Sequence, residues 1–199
     1  MRRDNLDLFQ NLYPEEMLPT FNQRLQTVLP QRDQEGRHIF LFKAGDWDPT
    51  QCNLDDIFRA NYLYLEEMTS TMETQVHGLV AIVDCQGLSF YHARSFTPKH
   101  AKRMVKIIQD SFPARFKEFH LVNQPYIFNL LFAVVKPFLE EKIRNRIQFH
   151  GSDLASLYRY INPEILPESL GGSLSLDDTF INKMLARNDH YKGTEAIDT

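Results

Sequence analysis

Five cations bracket one apolar stretch of this chain. Arg115 and Lys117 stand ahead of it, and Lys142, Arg144 and Arg146 follow it, in a sequence whose formal net charge is −4. Guanidinium forks and lysine point charges suit an anion site, and beside an apolar helix they suit lipid phosphates. The same five residues would also serve as an ordinary solvated face, and spacing alone does not separate the two. Asp84 ends an apolar run, where α/β enzymes often keep a carboxylate. No nucleophile–base partner accompanies it, so a structural or capping role is the simpler reading. The seven histidines, His38, His77, His92, His100, His120, His150 and His190, show no helical pair at metal-ligand spacing. Two distant cysteines, Cys52 and Cys85, exclude a disulfide framework or a four-cysteine metal site built from this chain. There is no Gly-rich phosphate loop, no G-x-G-x-x-G after a strand and no G-x-S-x-G elbow. The expectation is a binding protein rather than an enzyme, with no catalytic residue, no metal and no cofactor. The acidic balance argues against a general nucleic-acid partner.

The elements that must position these residues alternate. At 199 residues the chain suits one domain, or one domain with a helical appendage. Residues 1–30 read as helical, with Leu18, Phe21, Leu25, Val28 and Leu29 at helical spacing between Pro19 and Pro30. His38-Ile39-Phe40-Leu41-Phe42 is dense in strand formers. Residues 54–75 lack Gly and Pro and place Leu54, Ile57, Phe58, Asn61, Leu65, Met68 and Met72 along one helical face. After Gly78, Leu79-Val80-Ala81-Ile82-Val83-Asp84 is apolar without alternation, as in a parallel strand covered on both faces. Thr97-Pro98 starts a further helix, with a hydroxyl cap before a first-turn proline. Residues 119–122 and 146–150 read as strands and 152–161 as a helix. The last 20 residues start helical and end in a polar, frayed tail. Strand and helix alternating in this way predict an α/β fold with a mostly parallel sheet flanked by helices.

The stretch between the cations is Tyr126-Ile127-Phe128-Asn129-Leu130-Leu131-Phe132-Ala133-Val134-Val135-Lys136-Pro137-Phe138-Leu139. As a helix it is apolar nearly all round, interrupted only by Asn129 and Lys136. It is too short for a bilayer span, which needs about 18 apolar residues. It is therefore either a central core helix or a lid over an apolar cavity, with Pro137 as a hinge point. The chain holds 15 Phe, 8 Tyr and one Trp, which equally suits a dense core or a cavity for an apolar ligand. No stretch reaches membrane-spanning length, and Met1-Arg2-Arg3 is not followed by a secretory apolar run. The default address is cytoplasmic.

An ordered set of motifs then resembles the CRAL-TRIO, or Sec14-like, lipid-binding domain. The set comprises Gly36-Arg37, Trp47-Asp48-Pro49, the 78–84 run, Asp110-Ser111-Phe112-Pro113 and His120-Leu121-Val122-Asn123-Gln124-Pro125. It continues with Lys136-Pro137-Phe138-Leu139, His150-Gly151, Leu166-Pro167 and Gly171-Gly172. Within the family, Asp110 to Phe116, Asn123-Gln124-Pro125 and Pro163 to Pro167 look most like the clavesins, with tocopherol-transfer members next. The resemblance implies a lead-in over residues 1–30 that is the remnant of an N-terminal helical bundle. It implies a lipid-binding domain over 31–175, and a C-terminal helix and tail over 176–199.

The resemblance further implies an internal apolar pocket floored by the sheet and closed by a gate helix at 126–139. Pocket positions carry over onto Phe58, Asn61, Leu65, Leu79, Val83, Met104, Ile107 and Phe112, with Ile127, Leu130, Leu131 and Val134 from the gate. A phosphoinositide cleft beside the gate carries over onto Arg115, Lys117, Lys142 and Arg146. The implied function is to bind a hydrophobic ligand or lipid and transfer it at phosphoinositide-containing membranes. The alternative is a phosphoinositide-binding trafficking adaptor without transfer. Either would place the chain in the cytoplasm and peripherally on endosomal or vesicle membranes. Where the tocopherol carrier has two serines on the pocket helix, this chain has Asn61 and Leu65, which points away from tocopherol as the ligand.

Overall fold

A computed structural model of the chain describes residues 6–110 and 115–197. Two short helices, α1 (Leu6–Phe9) and α2 (Leu18–Phe21), lead into the strands β1 (Gln26–Val28) and β2 (His38–Lys43). The helix expected to run on to Leu29 stops at Phe21 instead. Arg24 takes φ 53° and reverses the chain, and Val28 and Leu29 are buried on opposite sides of a sheet. With β-branched Thr27 and Val28, this stretch fits a pleated ribbon better than a helix.

Helix α3 (Leu54–Thr69) is followed by a separate α4 (Met72–His77). The single helix expected over 54–75 breaks at Ser70, whose hydroxyl donates to the Glu67 carbonyl. Met72, expected on the buried face, is 79% exposed. The chain continues through β3 (Leu79–Asp84), α5 (Phe90–Ser95), α6 (Pro98–Asp110), β4 (Phe116–Val122) and α7 (Phe128–Val135). It then forms α8 (Glu141–Arg144), β5 (Ile147–Phe149), α9 (Leu154–Leu157), α10 (Thr179–Ala186) and α11 (Asn188–Ile197). Three boundaries differ from expectation. β4 begins three residues earlier than the 119–122 expectation, α9 is one turn rather than 152–161, and helix persists to Ile197 where a frayed tail was expected.

The five strands lie in sequential order, β1 to β5. β1 is antiparallel to β2 and every other pair is parallel. Strand alternation divides the core in two. Phe40, Leu79, Ala81, Phe119 and Leu121 face α3, α6 and α7, while Ile39, Leu41, Val80, Ile82 and Val122 face Leu157, Ile161, Leu166 and Leu170. β3 is thus covered on both faces, which is why its sequence reads as one apolar run. Gly78 makes the entry to β3 possible. It sits at φ 87°, and a Cβ there would lie 2.6 Å from the Arg115 carbonyl oxygen.

The C-terminal helices close back over the start of the chain. The Glu67 carboxylate on α3, with no side-chain exposure, accepts from Arg187 Nη1 at 2.6 Å and Tyr191 Oη at 2.7 Å, and Lys183 Nζ lies 3.0 Å away. Outside this cluster, Lys192 pairs with Glu15 and Arg24 with Asp178, each at 2.8 Å.

Candidate functional site

Between the sheet and the layer of α3, α6 and α7 lies a cavity of about 240 Å³. β2 contributes Phe40 and Phe42, β3 contributes Ala81 and Val83, and β4 contributes Phe116, Phe119 and Leu121 as its floor. α3 supplies Ile57, Phe58, Asn61 and Leu65, and α7 supplies Phe128, Leu131, Phe132 and Val135 as opposing walls. Among the described residues no lysine, arginine, aspartate or glutamate lines it.

The polar groups on its wall are few, and most are already engaged. Ser89 N–H donates to His92 Nδ1 at 3.0 Å, so the ring proton sits on Nε2, which donates to the Trp47 carbonyl at 2.7 Å. Trp47 Nε1 donates to the Cys52 carbonyl. Burial, and then the neighbouring Asp84 carboxylate, push the Cys85 thiol up to about 12, so it faces the cavity as an unreactive thiol. Asn61 is different. Its Oδ1 is buried without a hydrogen-bond partner among the described residues. A ligand donor able to reach this amide would meet an unfilled acceptor in otherwise apolar surroundings.

The structure sorts the expected pocket residues. Phe58, Asn61, Leu65, Val83, Met104, Ile107 and Leu131 line the cavity. Leu79, Ile127, Leu130 and Val134 are absent from its lining. Leu79 is fully buried at the start of β3, beneath the pocket, and Leu130 is 53% exposed on the outer face of α7. Phe112 lies outside the described residues. Sequence reasoning passed over the floor residues Phe40, Phe42, Phe119 and Leu121. Their alternation along β2 and β4 carried the signal, but it does not say which face meets a cavity and which meets plain core.

α7 ends where its proline dictates. The α-helix stops at Val135 and Lys136–Phe138 tightens into a 3-10 turn. Its outer side is unusually apolar for a solvent face, with Tyr126 92% exposed beside Leu130, while Phe138 and Phe149 are also exposed.

Three of the four expected head-group cations gather at the N-terminal ends of neighbouring strands. Arg115 and Lys117 are exposed at the start of β4, and neither forms an ion pair among the described residues. Arg146 precedes β5 and donates from Nη1 to the Phe116 carbonyl at 2.8 Å, which draws it against the same strand. Lys142 is exposed on α8 and pairs with Glu140 at 2.8 Å. Asp84 acts as a structural tie. Its Oδ1 accepts from Gln86 N–H and from Asn123 Nδ2, both at 3.0 Å, and so joins the exits of β3 and β4. Among the described residues no group of three or more metal-ligating side chains converges, and no helix is long and apolar enough to cross a membrane.

Comparison with known proteins agrees with this architecture. The CRAL/TRIO domain matches residues 22–172. The chain is 42% identical over 178 residues to the alpha-tocopherol transfer protein-like protein of Mus musculus, covering 89% of this chain and 52% of that protein. It is 41% identical over 177 residues to clavesin-2 of Homo sapiens, covering 87% and 54%, and 40% identical to clavesin-1 of Xenopus laevis, covering 87% and 53%. The chain therefore spans about half the length of these relatives. Among solved structures, that of Sfh5 superposes with a TM-score of 0.64 at 18% identity, over 94% of this chain and 67% of the other. A domain match that spans most of the sequence, on a sheet-floored apolar cavity with α7 as one wall, assigns the chain to the CRAL-TRIO family.

Proposed function

We propose that this chain encloses one neutral, apolar molecule and exchanges it at phosphoinositide-bearing membranes. The observation that supports this most is the cavity wall: among the described residues it holds no Lys, Arg, Asp or Glu, and Asn61 alone of its lining retains an unpartnered buried polar atom. Hydrophobic burial would hold the guest, at about 25 cal/mol per Å² of apolar surface removed from water. A carboxylate or phosphate inside would be desolvated without a counter-ion, so a charged head group belongs outside the cavity. Asn61 would orient the guest by accepting a hydroxyl or amide proton.

α7 would serve as the movable wall. Its exposed Tyr126 and Leu130 would meet the bilayer while Arg115, Lys117, Lys142 and Arg146 meet anionic head groups. Head groups would favour the open arrangement only by binding it better than the closed one.

The test is binding and release of N-phenyl-1-naphthylamine, a neutral apolar fluorophore. Its emission should rise on binding the chain, and phosphatidylcholine vesicles containing phosphatidylinositol bisphosphate should empty the protein faster than phosphatidylcholine alone. Each cation near an anionic surface contributes about 1 kcal/mol, so replacing Arg115, Lys117, Lys142 and Arg146 by Ala should weaken vesicle binding on the order of a hundredfold or more. Unchanged vesicle binding in a folded variant would overturn the cationic assignment. Vesicle binding without release would favour the adaptor reading.

A further inference from the structure

On the side of the sheet away from the cavity, a buried polar chain runs beneath β4 and β5. His120 has no exposure, and because Phe119 and Leu121 on either side of it line the cavity, its ring points to the opposite face. Its Nδ1 lies 3.0 Å from Nε2 of His150, the residue that follows β5. His150 Nδ1 lies 2.6 Å from Ser156 Oγ, which is 2.7 Å from the Asp153 carbonyl oxygen. The Tyr160 ring packs against both imidazoles, tilted on His120 and edge-on to His150, with centroids 4.9 and 5.8 Å away.

The protons of this chain can be placed by elimination. The Asp153 carbonyl only accepts, so the Ser156 hydroxyl donates to it and its oxygen accepts from His150 Nδ1–H. Neutral His150 then presents a lone pair at Nε2, and His120 must donate to it from Nδ1. That leaves a lone pair on His120 Nε2, facing Glu118 Oε2 at 3.4 Å, and neither atom has a hydrogen-bond partner among the described residues. The closed arrangement therefore has room for one further proton, between His120 and Glu118, and for no second one. A second would set N–H against N–H across 3.0 Å. The other charges facing the pair are Arg37, 3.1 Å from Glu118 Oε2 and held by Asp33 at 2.5 Å and Glu35 at 3.3 Å, and the Asp153 carboxylate.

What this pair fastens is the strand behind α7. β5 is a three-residue edge strand joined only to β4. It carries Ile147, which lines the cavity, and Phe149, whose ring packs edge-on against Phe132 of α7 at 5.3 Å and Phe128 at 6.1 Å. We propose that His120 and His150 form an acid-released latch on β5, so that proton uptake parts the strand from β4 and loosens the cavity wall formed by α7. In the parted state both imidazoles are hydrated and take up two protons, whereas the closed state accepts at most one, so acid favours parting. Burial first, then His150 and Arg37, hold His120 down to about 4, and burial lowers His150 as well, which keeps the latch shut at neutral pH. Parting therefore sets in as the pH falls below the ordinary histidine range, about 6.5, and each proton taken up shifts the equilibrium about tenfold per pH unit.

The test is hydrogen–deuterium exchange on the full, ligand-free chain at neutral and mildly acidic pH, corrected for the intrinsic pH dependence. In the native chain, protection of β5 and α7 should fall about tenfold or more per pH unit below the histidine range while β2 and β3 stay protected. His120→Gln and His150→Gln keep a hydrogen-bonding side chain but cannot titrate, and each should cut the response to at most that of the one remaining histidine, about tenfold per pH unit less steep than two. A pH-independent native chain, a uniform loss that includes β2 and β3, or Gln variants that respond like the native chain would each overturn the latch. Should the variants fail to fold, ring-proton NMR of the native chain decides: α7 loosening while both imidazoles stay neutral overturns it too. Because no ligand is present, a failure of cavity binding and a failure of the latch are read separately.

Discussion

Glu67 shows how one side chain joins distant parts of this fold. Burial alone would raise its carboxyl pKa, yet hydrogen bonds from Tyr191, Lys183 and Arg187 outweigh that and hold it below the usual carboxylate range. A carboxylate with a depressed folded pKa contributes stability that is present above its unfolded value and lost as the pH falls through the folded one. Glu67→Gln should therefore lower the unfolding free energy by about 2 kcal/mol at neutral pH, since Arg187 and Lys183 can partly rehydrate once released. It should also flatten the acid limb of the stability curve between the ordinary carboxylate pKa and the folded value. Urea denaturation across that window measures both. A variant as stable as the parent at pH 7 would mean that the cluster is held by the apolar contacts of Met184 and Tyr191 instead. Asn61 on the same helix is the opposite case, a polar group left unpaired at the cavity wall while Glu67 Oε2 takes two donors and Lys183 sits beside Oε1.

Among the elements, the junction from α4 into β3 tolerates little change. Gly78 caps α4 through its N–H to the Thr74 carbonyl at 2.8 Å, and its own carbonyl accepts from His38 N–H at 3.3 Å. A methyl group at this position meets both the left-handed φ and the Arg115 carbonyl. Gly78→Ala should cost about 1–3 kcal/mol or more, read as a lowered urea midpoint with unchanged slope. A loss below a few tenths of a kcal/mol would show that β4 shifts to make room. The C-terminal helices belong to the same scale. They tie to α3 through Glu67 and bury Met184 and Tyr191 against the main core, so they hold the cavity-lining helix in place.

At the scale of the whole molecule, the cavity is a place where packing is left incomplete and a guest completes it. A ligand that binds only the folded state at about 100 times its Kd adds about 2.7 kcal/mol. N-phenyl-1-naphthylamine should therefore raise the thermal midpoint. Leu131→Trp, which extends an α7 side chain into the void, should remove that shift while leaving the ligand-free fold at least as stable. A Leu131→Trp chain that still gains stability from the fluorophore would place the guest elsewhere. The polarity of the molecule follows from its sheet. Exposed aromatics end β5 and precede α7, cations begin β4 and β5, and α7 runs between the two groups.

Periodicity and composition determined the alternation of strands and helices, the mostly parallel sheet, the entry to α6 at Thr97-Pro98 and the breakdown of α7 at Pro137. These are local consequences of backbone sterics and of which faces must be dry, and the chain writes them within a few residues. The motif set also marked the family, and seven of its carried-over pocket positions meet at one cavity. Other features depended on contacts between residues far apart. Leu25, Val28 and Leu29 fit a helical wheel and a strand equally well, and only pairing with β2 decided for the strand. Leu79 and Val83 share one face of one strand, yet the depth of the cavity separates core from wall. His120 and His150 lie 30 residues apart in sequence. Only the register of β4 against β5, which brings two of their ring nitrogens to 3.0 Å, turns two separate motif histidines into a buried pair.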